Sequence, residues 1–206
     1  MDFDKVLKGR RSVRKYSNKK ISFDKICLIL DAARYAPSSG NLQNWNFIVV
    51  EDNERKRKIV DVALGQDWMF DASTFIVVCS RGEEIGKFYK QRGEMLYSVQ
   101  NCAAAIQNML LKSYDLGLQS CWVGAFDENA VKRILMIPEE IRVQAIITIG
   151  YGEEVDMPRR YDLNNFVFLG EWGIYVKDSK IWPLRDTLYG PVKKKSGKGI
   201  LGWFKK

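Results

Sequence analysis

The sequence contains no histidine, and this absence removes several classes of catalytic site. Ser-His-Asp and Cys-His nucleophilic sites need an imidazole as the general base, and histidine is the commonest ligand of catalytic zinc. The phosphate-binding pattern GxxxxGK[ST] is also missing. The one glycine-rich candidate for a dinucleotide fingerprint, GYGEE at 150–154, lacks the third glycine of that motif. Together these absences argue against hydrolase, P-loop and Rossmann interpretations.

Cysteines are few and widely separated, which bears on the cellular compartment of the protein. None of the four forms a CxxC pair, and no signal peptide is recognisable at the start of the sequence. This pattern predicts reduced, mostly buried thiols and a cytoplasmic location. Long apolar runs are missing as well, and none approaches the roughly 20 residues of a membrane span. We therefore expect a soluble protein.

Positive charge is concentrated at the end of the chain. Residues 193–206 hold six lysines and no acidic residue, so residues 1–192 contribute only +2 of the net charge of +8. A nucleic-acid partner is therefore not expected. Because Ile200, Leu201, Trp203 and Phe204 lie beside those lysines, this tail is similar to an interfacial membrane anchor. Packing on a partner subunit and disorder are the alternatives.

The remaining length and its apolar patterning predict one domain over residues 1–192, followed by the basic tail. Helices are expected at 3–9, 23–36, 54–64, about 94–116 and 127–135, and strands at 46–52, 73–80, 120–126 and 143–152. This order suits an α+β sandwich with a central sheet. The longest helix is apolar on nearly every face in CAAAIQNMLL, which predicts coverage by the sheet on one side and by another subunit on the other.

Four short segments carry a family resemblance. RRSVRKY at 10–16, APSSGNLQNWNF at 36–47, GLQSCWVGAF at 117–126 and GYGEEVDMPRRYDLNNFV at 150–167 follow one another in the order and spacing of the nitroreductase family of flavoenzymes. The chain resembles that family over residues 3–170. The resemblance implies an α+β, nitroreductase-like sandwich with a central, mostly antiparallel sheet flanked by helices. It also implies an intertwined homodimer that binds FMN between its subunits.

The resemblance assigns the basic segments to the cofactor. It places Arg10, Arg11 and Ser12 at the FMN phosphate, where guanidinium and hydroxyl groups form charge-assisted hydrogen bonds. Arg14 is expected at the edge of the flavin ring, near N1 and O2, with a catalytic role. Arg159 and Arg160 resemble late basic residues that close over the phosphate. The alternative is that a basic run of this kind is simply a solvated face.

Two further segments are implied at the flavin. Short polar groups after the second helix could bind the ring and ribityl chain from the partner subunit, and an ordinary polar turn is the alternative. The residues implied there are Pro37, Ser38, Ser39, Asn41 and Gln43. The end of the third strand would supply backbone donors to N5 and O4, and its small residues would let the backbone approach the cofactor. The residues implied there are Val123, Gly124 and Ala125, of which Gly124 and Ala125 are the expected catalytic positions.

The function implied is an FMN-dependent oxidoreductase. The cofactor carries the redox chemistry, which explains how a chain without histidine can be an enzyme. NADH or NADPH would donate electrons, and a small acceptor such as a nitroaromatic or a quinone would take them in a ping-pong cycle. Dehalogenation and flavin breakdown are alternatives within the enzyme class. A non-enzymatic flavin-binding or redox-sensing protein is the alternative outside that class.

Overall fold

The computed structural model describes residues 1–161 and 165–174, which fall in two compact units, Met1–Met157 and the chain from Pro158 onwards. The first unit contains all of the helices and strands named below. Its helices are α1 (Phe3–Gly9), α2 (Phe23–Arg34), α3 (Asn53–Asp61), α4 (Gly82–Arg92), α5 (Ser98–Asp115) and α6 (Glu128–Leu135). Its strands are β1 (Trp45–Val50), β2 (Thr74–Ser80), β3 (Gln119–Val123) and β4 (Arg142–Gly150).

The strands form one sheet in the order β1-β2-β4-β3, and each neighbouring pair is antiparallel. At the β1 edge of the sheet, Trp45 pairs with Ser80. At the β3 edge, Gln119 pairs with Gly150. β1 and β3 are therefore the outer strands, and the expectation of a mostly antiparallel sheet is confirmed.

Helices cover both faces of this sheet. Ile146 and Ile147 are consecutive, and both are fully buried. Because consecutive side chains of a strand point to opposite faces, both faces of the sheet are covered at this position. Ile147 belongs to a core that α2 and α5 complete, whereas Ile146 packs in a second core with α3 and α6. Burial on both faces explains why β2 and β4 are almost continuously apolar. The predicted α+β sandwich is confirmed.

Helix starts follow the sequence closely. Asp2, Asp52 and Asp127 each accept a hydrogen bond from a backbone N–H of the first turn that follows. Ser22 is the N-cap residue of α2, as predicted, although its side chain makes no capping hydrogen bond. Helix ends are less regular, since α3 ends at Asp61 and not at residue 64.

The region before the longest helix differs from the prediction. The helix expected from about residue 94 begins at Ser98, and a π-helical turn over Gly93–Tyr97 joins it to α4. Lys90 breaks the helical path with φ 53° and ψ −151°. The chain then packs back on itself, because a side chain at Gly93 would come within 2.8 Å of the Ile85 carbonyl oxygen. The first residues of the predicted helix therefore form a π-helical turn, and α4 is a helix that the sequence analysis did not predict.

The long helix α5 packs against α2 and the sheet through residues such as Ile106 and Met109, which are fully buried. Val99 and Gln107 are exposed, and the coverage of that side by a second subunit stays a prediction. No helix in the described part of the chain combines the length and hydropathy needed to cross a bilayer. In the second unit the Leu169 N–H donates to the Ile174 carbonyl over 2.8 Å. The basic tail, residues 193–206, lies outside the described residues.

Candidate functional site

An extended segment after α1 lies along the outer edge of β3. The Val13 N–H donates to the Ser120 carbonyl over 3.0 Å, and Ser12 forms a parallel bridge with the same residue. Tyr16 forms an antiparallel bridge with Gly152. The basic segment of the sequence is therefore fixed to the sheet as an additional edge.

Alternation along this segment brings Arg10, Ser12 and Arg14 together. Val13 is fully buried, while Ser12 and Arg14 are exposed on the opposite side. All three polar residues act on the thiol of Cys121. Burial raises the pKa of that thiol, and Arg14, Ser12 and Arg10 oppose the increase. Arg10, Ser12 and Arg14 therefore all lie near Cys121 on β3.

Arg11 lies apart from this group. Its Nη1 donates to the Arg10 carbonyl over 2.7 Å, and its buried Nε has no hydrogen-bond partner among the described residues. The side chain lines a separate cleft of about 320 Å³ with Lys5, Lys8 and Tyr114. Arg11 therefore borders a cleft that α1 helps to line, and its role at the FMN phosphate stays a prediction.

Trp68 packs against Arg14. The Arg14 guanidinium carbon lies 5.7 Å from the centre of the Trp68 ring, within cation–π range. That ring stacks on Tyr16 at 6.5 Å, and the Tyr16 hydroxyl forms a 2.8 Å hydrogen bond with Thr148 Oγ1. Burial raises the Tyr16 pKa above its usual value, so this phenol stays neutral. Trp68 comes from a 3₁₀ turn, Asp67–Asp71, between α3 and β2.

The end of β3 provides accessible backbone. Val123 is buried, whereas Gly124 and Ala125 are exposed. A Cβ at Gly124 would meet no atom within 4 Å, so the space above this backbone is open. The Ala125 carbonyl accepts a 2.8 Å hydrogen bond from Gln66 Nε2, which fixes the turn.

The polar loop before β1 has a defined and unusual conformation. Gly40, Asn41 and Gln43 all have positive φ angles, of 57°, 57° and 45°. The Gln43 N–H donates to Ser38 Oγ over 3.1 Å, and Gln43 Nε2 donates to both oxygens of Asn41. Pro37 is exposed at the start of this loop. The loop, defined here as residues 37–43, therefore presents its polar groups in a fixed arrangement.

Within one chain this loop lies far from residues 10–14. The loop leads into β1, whereas residues 10–14 border β3, and these are opposite edges of the sheet about 14 Å apart. The two sites also lie at opposite ends of the strands. From Arg142 to Ile149 along β4, the strand advances about 23 Å. A single chain does not bring the two halves of the expected site together.

Arg159 and Arg160 belong to the second unit, where both are exposed. They follow Pro158, at the beginning of that unit.

Comparison with known proteins identifies the family. The sequence model of the Nitroreductase family matches residues 7–66 and 61–151. The chain belongs to the nitroreductase family. It is 38% identical over 154 residues to a provisionally named NADH dehydrogenase/NAD(P)H nitroreductase of Archaeoglobus fulgidus, an alignment covering 73% of this chain and 85% of the relative. The family resemblance stated from the four sequence segments is therefore confirmed.

Solved structures of nitroreductases share the fold. An FMN-dependent nitroreductase from Clostridium difficile matches with a TM-score of 0.70 at 27% identity, covering 81% of this chain and 98% of that one. A nitroreductase family protein from Clostridium novyi matches with a TM-score of 0.69 at 28% identity, covering 85% and 97%. The predicted nitroreductase-like sandwich is confirmed by these matches.

Proposed function

We propose that this protein is an FMN-dependent oxidoreductase that takes electrons from NADH or NADPH and reduces a small acceptor. The observation that carries the proposal is that Arg10, Ser12 and Arg14 all lie near Cys121 on β3, the strand whose end leaves the backbone of Gly124 open. An FMN-dependent nitroreductase from Clostridium difficile and an NAD(P)H-dependent FMN reductase from Bacillus subtilis are among the proteins that this chain resembles.

The donor set fits the phosphate end of FMN. A phosphomonoester carries almost two negative charges at neutral pH, and Arg10 with Ser12 offers charged and neutral donors on one side of the edge segment. We assign these two residues to the phosphate. Arg159 and Arg160 are assigned to the same group as additional cations. Arg11 contributes positive charge to the region and also lines the separate cleft.

The ring end would lie against Arg14 and the turn after β3. Bound FMN supplies the redox chemistry, accepting a hydride from NAD(P)H and passing electrons to the acceptor. Arg14, held by Trp68, places a positive charge where the ring edge gains negative charge. Gly124 and Ala125 leave their backbone accessible to the ring, and Val123 anchors the strand beneath them.

The second half of the site is assigned to the partner subunit of a homodimer. Residues 37–43 lie on the opposite edge of the sheet from residues 10–14, so one flavin can contact both only if two chains contribute. Pro37, Ser38, Ser39, Asn41 and Gln43 of each chain would then border the flavin held by the arginines of the other. The exposed side of α5, with Val99 and Gln107, is the proposed interface.

The acceptor is assigned to the class of nitroaromatics and quinones, reduced in a ping-pong cycle because donor and acceptor use the same open face.

Cytoplasmic location is part of the proposal. All four cysteines are unbridged, as expected in a reducing compartment.

Absorption spectroscopy of the purified protein tests the proposal. We expect a bound flavin, or uptake of added FMN, followed by NADH or NADPH oxidation that depends on a quinone and gives parallel double-reciprocal lines. Arg10→Ala should lose FMN, whereas Lys20→Ala in the same basic stretch should retain it. A colourless protein that takes up no FMN would refute the proposal, and flavin binding without electron transfer would leave only a binding function.

A further inference from the structure

A chain of buried polar side chains connects α5 to the loop of residues 37–43. Asn44 is fully buried, and Asn101 on α5 is 4% exposed. Asn101 Nδ2 donates to Asn44 Oδ1 over 2.8 Å, and Asn44 Nδ2 donates to Ser98 Oγ over 2.8 Å. The Asn101 Oδ1 accepts two hydrogen bonds from Ser39, one from its N–H at 3.0 Å and one from its hydroxyl at 3.2 Å.

This network fixes the orientation of the Asn101 amide. Its Nδ2 side faces an acceptor on Asn44, and its Oδ1 side faces two donors on Ser39. A rotated amide would place the Nδ2 group against the Ser39 N–H and Oδ1 against Asn44 Oδ1, so only one orientation satisfies the network. Because these groups are buried, water is poorly placed to replace a lost bond.

The loop needs such an anchor because its own conformation is unfavourable. Asn41 and Gln43 adopt the left-handed region, which costs conformational free energy for residues other than glycine. Gly40 is packed closely, since a Cβ there would lie 2.8 Å from the Tyr89 hydroxyl. Bonds from outside the loop must therefore hold it in this shape.

We infer that Asn101 is a positioning residue for flavin binding, acting through Ser39 on the loop of residues 37–43. This inference rests on the proposed function, in which the loop borders FMN. By accepting both Ser39 donors, Asn101 fixes the start of the loop's left-handed turn. The Ser38 hydroxyl, whose oxygen accepts from the Gln43 N–H, keeps its own hydrogen available for a ligand. Asn44, in turn, helps to orient the Asn101 amide by accepting a hydrogen bond from its Nδ2.

Three variants test the inference, and α5 offers a matched control. Asn101→Ala removes the acceptor from Ser39, whereas Asn101→Asp keeps an acceptor there and loses the donor to Asn44. Asn108→Ala removes a different side-chain bond of the same helix, from Asn108 Nδ2 to the Ala32 carbonyl at 3.1 Å. We expect Asn101→Ala to weaken FMN binding about tenfold or more. Asn108→Ala should stay within about twofold, and Asn101→Asp should recover most of the loss.

Hydrogen exchange of the FMN-free protein gives a second readout that does not need the cofactor. We expect faster exchange across residues 38–43 in Asn101→Ala, and near-wild-type exchange there in Asn101→Asp and Asn108→Ala. If wild-type protein binds FMN and Asn101→Ala matches Asn108→Ala in both measurements, the inference is wrong and the proposed function stands. If wild-type protein binds no FMN, the proposed function fails, and the role of Asn101 in flavin binding fails with it.

Discussion

Arg10 and Arg14 lie on the same side of one extended segment but have different surroundings, and this difference predicts different mutant behaviour. Arg14 contacts the Trp68 ring and is assigned to the flavin ring edge, where reduction adds negative charge. A loss of about 1.5–3 kcal/mol of stabilisation of the reduced form would lower the two-electron potential by about 30–65 mV. We expect Arg14→Ala, saturated with FMN, to show this shift in a spectroelectrochemical titration.

Arg10→Ala is the control for that measurement. A phosphate has nearly the same charge in both redox states of the flavin, so losing Arg10 should weaken FMN binding and leave the potential unchanged. A shift that appears in Arg10→Ala and not in Arg14→Ala would mean that the two arginines are assigned to the wrong ends of the cofactor.

Buried thiols predict how stability depends on pH. Burial raises the pKa of Cys79 to about 11 and that of Cys102 to about 12, from a usual value of 9.0. Above pH 9 the unfolded chain releases these protons while the native protein retains them, so the free energy of unfolding falls as pH rises towards 11–12. Urea titrations between pH 7 and 10.5 should show this decline. Cys102→Ala should make the decline shallower, and Cys27→Ala, at an exposed thiol, should not change it.

The sequence could single out the basic segment because its motif, together with three others, resembles the nitroreductase family. It could not predict that Trp68 contacts Arg14 or that Cys121 lies near the segment, because these contacts are made only after the sheet forms. Asn44 is a similar case. Its position before a strand suggests an ordinary turn, but tertiary packing buries it completely and pairs it with Asn101. The assigned roles of these residues at the flavin stay predictions.

Among the elements, α4 contains a backbone conformation that its residue does not favour. Lys90 has φ 53° and ψ −151°, close to a region that glycine alone adopts readily. We expect Lys90→Gly to raise the free energy of unfolding by about 1 kcal/mol. Chemical denaturation measures the change.

Lys87→Gly, at an exposed helical position of the same element, should instead lower the free energy of unfolding by about 0.5–1 kcal/mol. If both variants lower stability equally, the kink at Lys90 is not strained.

Elements were predictable where the apolar pattern reflects burial alone. The strands read correctly because β2 and β4 are covered on both faces. No helix was predicted for the α4 region, because the low helix propensity of Gly86 and Gly93 argues against one. They are required there by close packing, of Gly86 against the Glu94 side chain and of Gly93 against Ile85. The local sequence does not indicate that these two contacts form.

At the scale of the whole molecule, the separation of the two half-sites predicts complementation between chains. Arg10→Ala disables one half, and Gly40→Val disables the other, because Gly40 has φ +57° and contacts Tyr89. Neither homodimer should bind FMN. A mixed dimer isolated with two affinity tags should contain one intact site, with Arg10 from one chain and the normal loop from the other. We expect one FMN for each mixed dimer.

Mixed dimers of two Arg10→Ala chains with different tags are the control and should remain colourless. A mixed dimer without flavin, or a wild-type protein that sediments as a flavin-loaded monomer, would show that one chain forms the site alone.

The pairing of the edge segment with β3 and with Gly152 also determines when a growing chain can become functional. Residues 10–16 are synthesised more than 100 residues before the groups that fix them, Ser120 and Gly152. Until then, the arginines have no strand to align them. A nascent chain halted before Gly152 should therefore contain the basic segment without the ability to retain the cofactor, so that flavin capture follows translation of nearly the whole sheet.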